Sequence, residues 1–589
     1  MKTFFLTGLL LLTSGFTSAV WAVKAYPYPI EVQQPNGDTI FIRLHGDEYF
    51  HYTTAGNGAV IMKDSEGYFC YAGISGDSIL IPGDMPVSNA SLRSDMPGLI
   101  TPSSLEFKEK IQQPAMNRMV KEKWKQAVDN KPLSTPSLRS SNKKQEDEPY
   151  RMKALVILAD FQDVKFTTTN AMSAFDRLLN QSGYNVNGAT GSVRDYFFDN
   201  SDGAFEPDFE VFGPITLPKE MSYYGANKSN GYDQNVRQMI IDACKETHKA
   251  YKSIGFNMND YAVEYEGYGA VLQNVFVVYA GYNEAEGGGD NTVWPQKSTM
   301  FDSYNQERID NVLLADFACT SELQGNVSRP GGIAAIGTFC HEFGHVIGLP
   351  DLYDANYETD GFNGGVGFWS IMDTGNYTNN SRTPPCYSAT ERYFLTLRWD
   401  YEINWMRDLY ILPVNTHFAA PRFVDIEPIS SDYNPDGRKV RGYMMETQHQ
   451  MDGFTYEFFM LENRKKTGWD YYLRGEGMLV FHVDWDPVIP YTIHYSGEEY
   501  SLTAFELWDM GLPNLMGDHL CYDLLKANND PCVIVGNSAS YQHYDGHPFP
   551  GSSNNTSLTD NTTPNLLSWA GNSSGTGLAN IKRSTDGII

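Results

Sequence analysis

The stretch His341-Glu342-Phe343-Gly344-His345-Val346-Ile347-Gly348-Leu349-Pro350-Asp351 decides how the middle of this 589-residue chain is read. It continues a segment from Ile333 in which Ile336, Cys340, Phe343 and Ile347 form an apolar stripe at helical spacing. His341 and His345 are four positions apart, so on a helix both imidazoles leave one face and can hold one Zn²⁺. Glu342 lies one position round, beside the open side of such an ion, where a general base has to be. Gly348 can end the helix with a positive φ, Leu349-Pro350 turns the chain, and Asp351 can then reach back as a third ligand. A core helix whose histidines are merely hydrogen-bonded is the competing reading of the same pattern.

Outward from this stretch, residues 150–400 alternate helical and strand patterns and are expected to form an α/β domain. Ala154–Leu158 and Val275–Tyr279 are near-continuous apolar runs of the buried-strand type, and Ser192–Asn200 reads as a helix leading into a strand at Phe205–Phe212. Val236, Met239, Ile240 and Ala243 share one side of a helix predicted over Gln234–Tyr251. Residues 401–589 read as short strands with Asn, Gly and Pro turns, hence a C-terminal β-sandwich-like domain. Residues 23–100 alternate like a small β-rich unit with an Asn57-Gly58 turn. Residues 101–149 turn polar and Pro/Ser-punctuated and are read as a linker open to proteolysis. A small unit on a cleavable linker suggests a propeptide, although a permanent module would look the same. The whole is an α+β multidomain chain.

At the start, Lys2, the apolar run Phe4–Leu12 and the small residues up to Ala22 have the three regions of a secretory signal, placing 1–22 as a signal peptide. The apolar run is too short to span a bilayer, no later one approaches that length, and a secreted or extracytoplasmic location is expected. A net charge of −28 argues against nucleic acid as a partner. Seven cysteines without regular spacing are no disulfide framework; Cys521 and Cys532 alone are close enough to suggest a local bridge. A monomer acting on protein or peptide substrates is expected.

The motif from His341 to Asp354 resembles the zinc motif of the immune inhibitor A family of secreted bacterial metalloproteases, with the His-Glu-x-x-His-x-x-Gly-x-x-Asp spacing of a metzincin-like helix. Ser192–Phe197, Val211–Pro214, Tyr279–Gly281, Gly367–Asp373, Leu461–Arg464 and Gly477–Asp484 are similar to further family landmarks, and Tyr26–Tyr71 is similar to the proregion of Bacteroidetes-type members. The resemblance implies a zymogen, a zinc metalloprotease catalytic domain and a β-rich tail. It also implies that Trp369–Asp373 is the Met-turn, with Met372 as a packed floor under the ligands. Asp354 could orient a ligand histidine or simply close the loop after Pro350. Tyr377 could replace the oxyanion-holding tyrosine that metzincins carry two residues after the methionine, a position that is Thr374 here, or pack as an aromatic. Family members often have an Asp-rich calcium-binding turn where this chain has Glu264–Gly269, so Ca²⁺ is the weaker of the two cofactor expectations. The alternative function is a surface adhesin or carbohydrate-binding protein, with a zinc helix that only braces the fold and Trp469, Trp485 and Trp508 as sugar platforms, although core packing explains these aromatics equally well.

Overall fold

The computed structural model describes residues 21–88, 98–129 and 148–589, apart from 229–230, 266, 301–305, 356–364, 400, 413–422, 435–438, 448–449, 452–453, 496–497, 518 and 530–540. Most of the expected signal peptide and the linker segment 130–147 therefore lie outside the described residues, as do Cys532 and Glu266.

The central sheet is built on four parallel strands, Val312–Ser321, Gly269–Tyr279, Tyr150–Asp160 and Phe205–Thr216, in that spatial order. The near-continuous apolar runs Ala154–Leu158 and Val275–Tyr279 of the two inner strands follow from burial on both faces. Val156, Leu158, Phe276 and Val278 face the core that holds the motif helix. Leu155, Ile157, Val275 and Val277 face the opposite core, filled by Met239, Ile240, Ala243 and Cys244 of the helix Val236–Tyr251. The strand Gln296–Thr299 runs antiparallel along Val312–Ser321, and the two-residue strand Trp21–Ala22 adds to it, again antiparallel. The central sheet thus ends in an edge covered by the strand Trp21–Ala22.

The motif helix spans Ile336–Val346 and buries its apolar stripe against this sheet: Phe339 stacks on Phe276 at 3.7 Å, and Phe343 meets Phe197 and Phe209 edge-on. Phe197 comes from the helix Val193–Asn200, whose start is set by a capping box in which Ser192 accepts from the Asp195 amide and Asp195 accepts from the Ser192 amide.

Two expectations need correction. Residues 105–129, read as part of a linker, are helical, with a π-helical turn at Lys108–Gln112. The reason lies in the spacing of Phe107, Ile111, Ala115 and Met119, which puts one apolar face against the antiparallel six-stranded meander of Ile30–Pro86 and against the core of the motif helix. The C-terminal region, among the described residues, is built on one five-stranded sheet rather than two stacked sheets. One of its faces, with Met444, Phe458, Met460, Leu479 and Phe481, packs into the same core as the motif helix. The other, with Met445, Phe459, Leu461 and Val480, is closed by Leu558, Leu566 and Ile581. The region around the central sheet is itself the second layer, because two apolar faces demand two covers.

Candidate active site

Gly348 ends the motif helix at φ +113°, a backbone conformation that a Cβ would strain, and any Cβ there would also meet the Arg398 side chain at 2.8 Å. This turn reverses the chain within three residues. The Leu349 carbonyl comes to 2.8 Å from His345 Nδ1, and Asp351 returns to the histidine pair. Across the site the Ile371 carbonyl lies 2.7 Å from His341 Nδ1.

These two carbonyls set the chemistry. A carbonyl only accepts, so both Nδ1 atoms carry the hydrogen and both Nε2 atoms present lone pairs. The two Nε2 atoms face each other at 3.1 Å, and Asp351 Oδ1 lies 3.4 Å from one and 3.3 Å from the other. One atom from each of the three side chains falls within 4.8 Å of the others, and all three residues are buried. Converging lone pairs repel unless a proton or a cation lies among them. Burial, outweighing the neighbouring Asp351, pushes the His345 imidazole down to about 4, which disfavours the proton. Burial would raise Asp351, but His345 and His341 beside it hold it well below the usual carboxylate range. The donor set fits a divalent cation.

Glu342 is fully buried next to this cluster without joining it. Its Oε1 accepts from the Val23 amide at 3.1 Å, while Oε2 has no hydrogen-bond partner among the described residues. Burial first, then the charges of Asp351 and Glu48, raise its carboxyl well above the usual range. Beneath the cluster, a Cβ on Gly344 would meet Met372 Sδ at 2.8 Å, so the glycine between the two histidines lets the sulfur pack against the helix backbone. The turn carrying Met372 is held by Ser370, whose hydroxyl accepts from the Met372 amide and donates to Glu391.

At three points the structure favours one of the alternatives that the sequence leaves open. The Nδ1 atoms are oriented by main-chain carbonyls, not by Asp354, which is buried in the loop beyond Asp351. Tyr377 directs its hydroxyl to the Lys24 carbonyl at 2.6 Å and so holds a peptide backbone. Trp469 and Trp508 are buried with their indole N–H groups donating to Asp199 and to the Asp484 carbonyl, and Trp485 packs between Phe458 and Trp508. Apolar packing rather than an exposed sugar platform is what these rings provide.

Sequence reasoning missed the groups that line the cleft. Tyr353 donates to the Ala22 carbonyl at 3.2 Å, Trp294 Nε1 to the Val23 carbonyl at 2.9 Å, and Lys24 lies 3.6 Å from Asp373. Asp47 and Glu48, from the turn after the strand Thr39–Gly46, also reach the site: Tyr353 hydrogen-bonds Asp47, and both Glu48 oxygens are buried without a hydrogen bond among the described residues. No spacing rule joins residues some 300 positions apart, and a lone Tyr or Trp carries no signal of its own.

Residues 142–406 match the family described as "Immune inhibitor A peptidase M6, catalytic domain". The pre-pro-metalloprotease PrtV of Vibrio cholerae serotype O1 is 26% identical over 326 residues, covering 49% of this chain and 34% of that protein. Immune inhibitor A of Bacillus thuringiensis subsp. alesti is 24% identical over 225 residues, covering 34% of this chain and 31% of its own length. The chain thus spans about a third of the length of the curated relatives it matches.

Proposed function

Because residues 142–406 belong to the peptidase M6 catalytic-domain family, we propose that this chain is a secreted zinc-dependent endopeptidase, made as a zymogen and acting on extracellular or host proteins. One observation carries the reading: two imidazole lone pairs and a carboxylate oxygen converge on one point, while the neighbouring Glu342 keeps one oxygen unbonded. His341, His345 and Asp351 would hold the ion. A zinc ion bound there supplies Lewis acidity, lowering the pKa of water and polarising the scissile carbonyl.

The remaining work falls to this chain's own groups. Glu342 takes a proton from the attacking water at its free Oε2 and delivers it to the departing amine. Tyr353, Trp294 and Tyr377 donate to three successive carbonyls of a peptide laid along the sheet edge. In this structure the peptide is Ala22, the last residue of the expected signal segment, followed by Val23 and Lys24, with which the secreted chain would begin. A cleft filled by its own N-terminal segment is what a zymogen requires, and the domain limits 23–100, 101–149, 150–400 and 401–589 are proposed on that basis, with the helix 105–129 assigned to the N-terminal unit.

The test is casein hydrolysis by the protein nicked in 130–147, with zinc, with chelator, and with zinc restored. Cleavage that disappears with chelator and returns with zinc is expected; cleavage indifferent to chelator would refute the metal's role.

A further inference from the structure

The segment from Trp21 to Tyr26 lies across the site as an extended peptide. Trp21 and Ala22 pair with Lys297 and Gln296 of the edge strand, the Ala22, Val23 and Lys24 carbonyls accept from Tyr353, Trp294 and Tyr377, and the Tyr26 amide donates to the Ala285 carbonyl at 2.8 Å. All these bonds involve the segment's main chain and would hold any sequence equally. The side chains are treated differently. Ala22, Val23 and Ala25 pack against Ala285 and Trp294, which select only for modest size.

Lys24 carries the charged contact of the stretch. Its ammonium lies 3.6 Å from Asp373 Oδ1 and 5.5 Å from the centre of the Tyr353 ring, with the two charged side chains only 9% and 1% accessible. Asp373 cannot swing away to find water. Its Oδ2 accepts from the Gly367 amide at 2.6 Å, and its Oδ1 accepts from the Thr374 amide at 2.7 Å and from the Thr374 hydroxyl at 2.8 Å. A carboxylate fixed in this way keeps acceptor capacity on the side where the ammonium sits. Leaving a buried charge without a counter-charge costs more than a mere loss of contact, so such a corner discriminates against neutral and acidic side chains.

We propose that Asp373, with the Tyr353 ring, forms a subsite for a lysine or arginine of the substrate, at the second residue on the leaving-group side of the cleaved bond. The assignment rests on the reading of Glu342 as the group that protonates the departing amine. Val23 places its nitrogen 3.1 Å from Glu342, where that amine must be, so Val23 stands for the first residue beyond the cut and Lys24 for the second. The substrates are then proteins with basic residues in exposed, extended segments.

Two measurements on the full chain decide this. In the metal-free protein, hydrogen exchange at the Ala25 and Tyr26 amides, which donate to the Gly46 and Ala285 carbonyls, reads how firmly the segment is held, whether or not the enzyme is active. Lys24→Arg should stay near wild type, and Lys24→Met should exchange about tenfold faster, with Lys24→Glu faster still. Asp373→Asn should remove the difference between Lys24 and Lys24→Met; since Asp373 also caps a turn, the Lys24 series stands by itself if that variant does not fold. Identical protection across the Lys24 series would overturn the subsite. In the second measurement, zinc-loaded full chain nicked in 130–147 cleaves a mixture of peptides differing only at the second leaving-side residue. Competition in one tube makes the ratios independent of how much cleft is still covered. Lysine and arginine are expected to be preferred about tenfold over norleucine. Equal cleavage of all peptides would show that the corner serves only the chain's own segment and would overturn the substrate assignment. No cleavage of any peptide would instead overturn the hydrolase reading, with hydrogen exchange still deciding the corner.

Discussion

His341, His345 and Asp351 come from one stretch of eleven residues, whereas the Val23 amide reaches Glu342 across 319 positions and the Tyr377 hydroxyl reaches Lys24 across 353. The histidine–aspartate cluster is held mainly at short range, by a helix turn, a positive-φ glycine and the Leu349 carbonyl, with the Ile371 carbonyl added from 30 positions beyond His341. The strip across it is held by edge-strand pairing, three side-chain hydrogen bonds to carbonyls and one ion pair, all made between segments joined only through a distant linker. If the N-terminal unit is removed as proposed, contacts of the first kind persist and contacts of the second kind are lost with it. On that reading one region stays and the other leaves.

The contrast can be broken most sharply at Glu342, which touches both regions. Glu342→Ala should lower kcat/KM on casein by about 10²–10⁴-fold while zinc content by mass spectrometry stays at the wild-type ratio. Near-normal cleavage by this variant would remove the glutamate from the chemistry. Next in size, Asp351→Ala should weaken zinc binding by at least about 10–100-fold in competition with a chromophoric chelator, since losses of that order follow even from changes to groups behind the ligands. An unchanged affinity would make the site something other than the converging triad.

Gly344→Ala tests the floor. The added methyl must displace Met372 Sδ from 2.8 Å and Tyr387 Oη from 3.2 Å, so denaturant unfolding without metal should show a loss of about 1–3 kcal/mol. No loss would mean that Met372 has room to move.

The smallest effect belongs to the N-terminal unit. His51, on the N-terminal sheet, stacks on Trp294 and pairs with Glu284 of the catalytic region at 3.3 Å. Burial alone would lower its pKa, but the Glu284 carboxylate outweighs burial and holds it at about 9. The folded value lies above the free one, so the stabilisation is complete below about pH 6.5 and is lost as pH rises through about 9. Urea unfolding at pH 7 and pH 10 should therefore show a fall of about 1 kcal/mol in wild type that His51→Asn lacks. Equal slopes would show that this pair does not help hold the N-terminal unit.

Much of the fold was legible where burial leaves a local period. The apolar runs at Ala154–Leu158 and Val275–Tyr279 announce strands covered on both faces, and Val236, Met239, Ile240 and Ala243 announce a helix with one buried side. The helix 105–129 was also written in the chain, in the fourfold spacing of Phe107, Ile111, Ala115 and Met119, but its polar surroundings concealed it. The C-terminal sheet was legible as strands and not as a layer. Its alternation shows that both faces are apolar without saying that the catalytic core covers one of them.

At the site, the chain alone determined the donor set, because an i, i+4 histidine pair, a glycine that must take positive φ and an aspartate three residues later act through a few bonds of backbone. Which tautomer the histidines adopt, what lies across Glu342 and which charge faces Lys24 were decided only when distant segments packed together. Those outcomes depend on the Ile371 carbonyl, the edge of the sheet and the buried Asp373 meeting partners that no fixed spacing in the sequence connects.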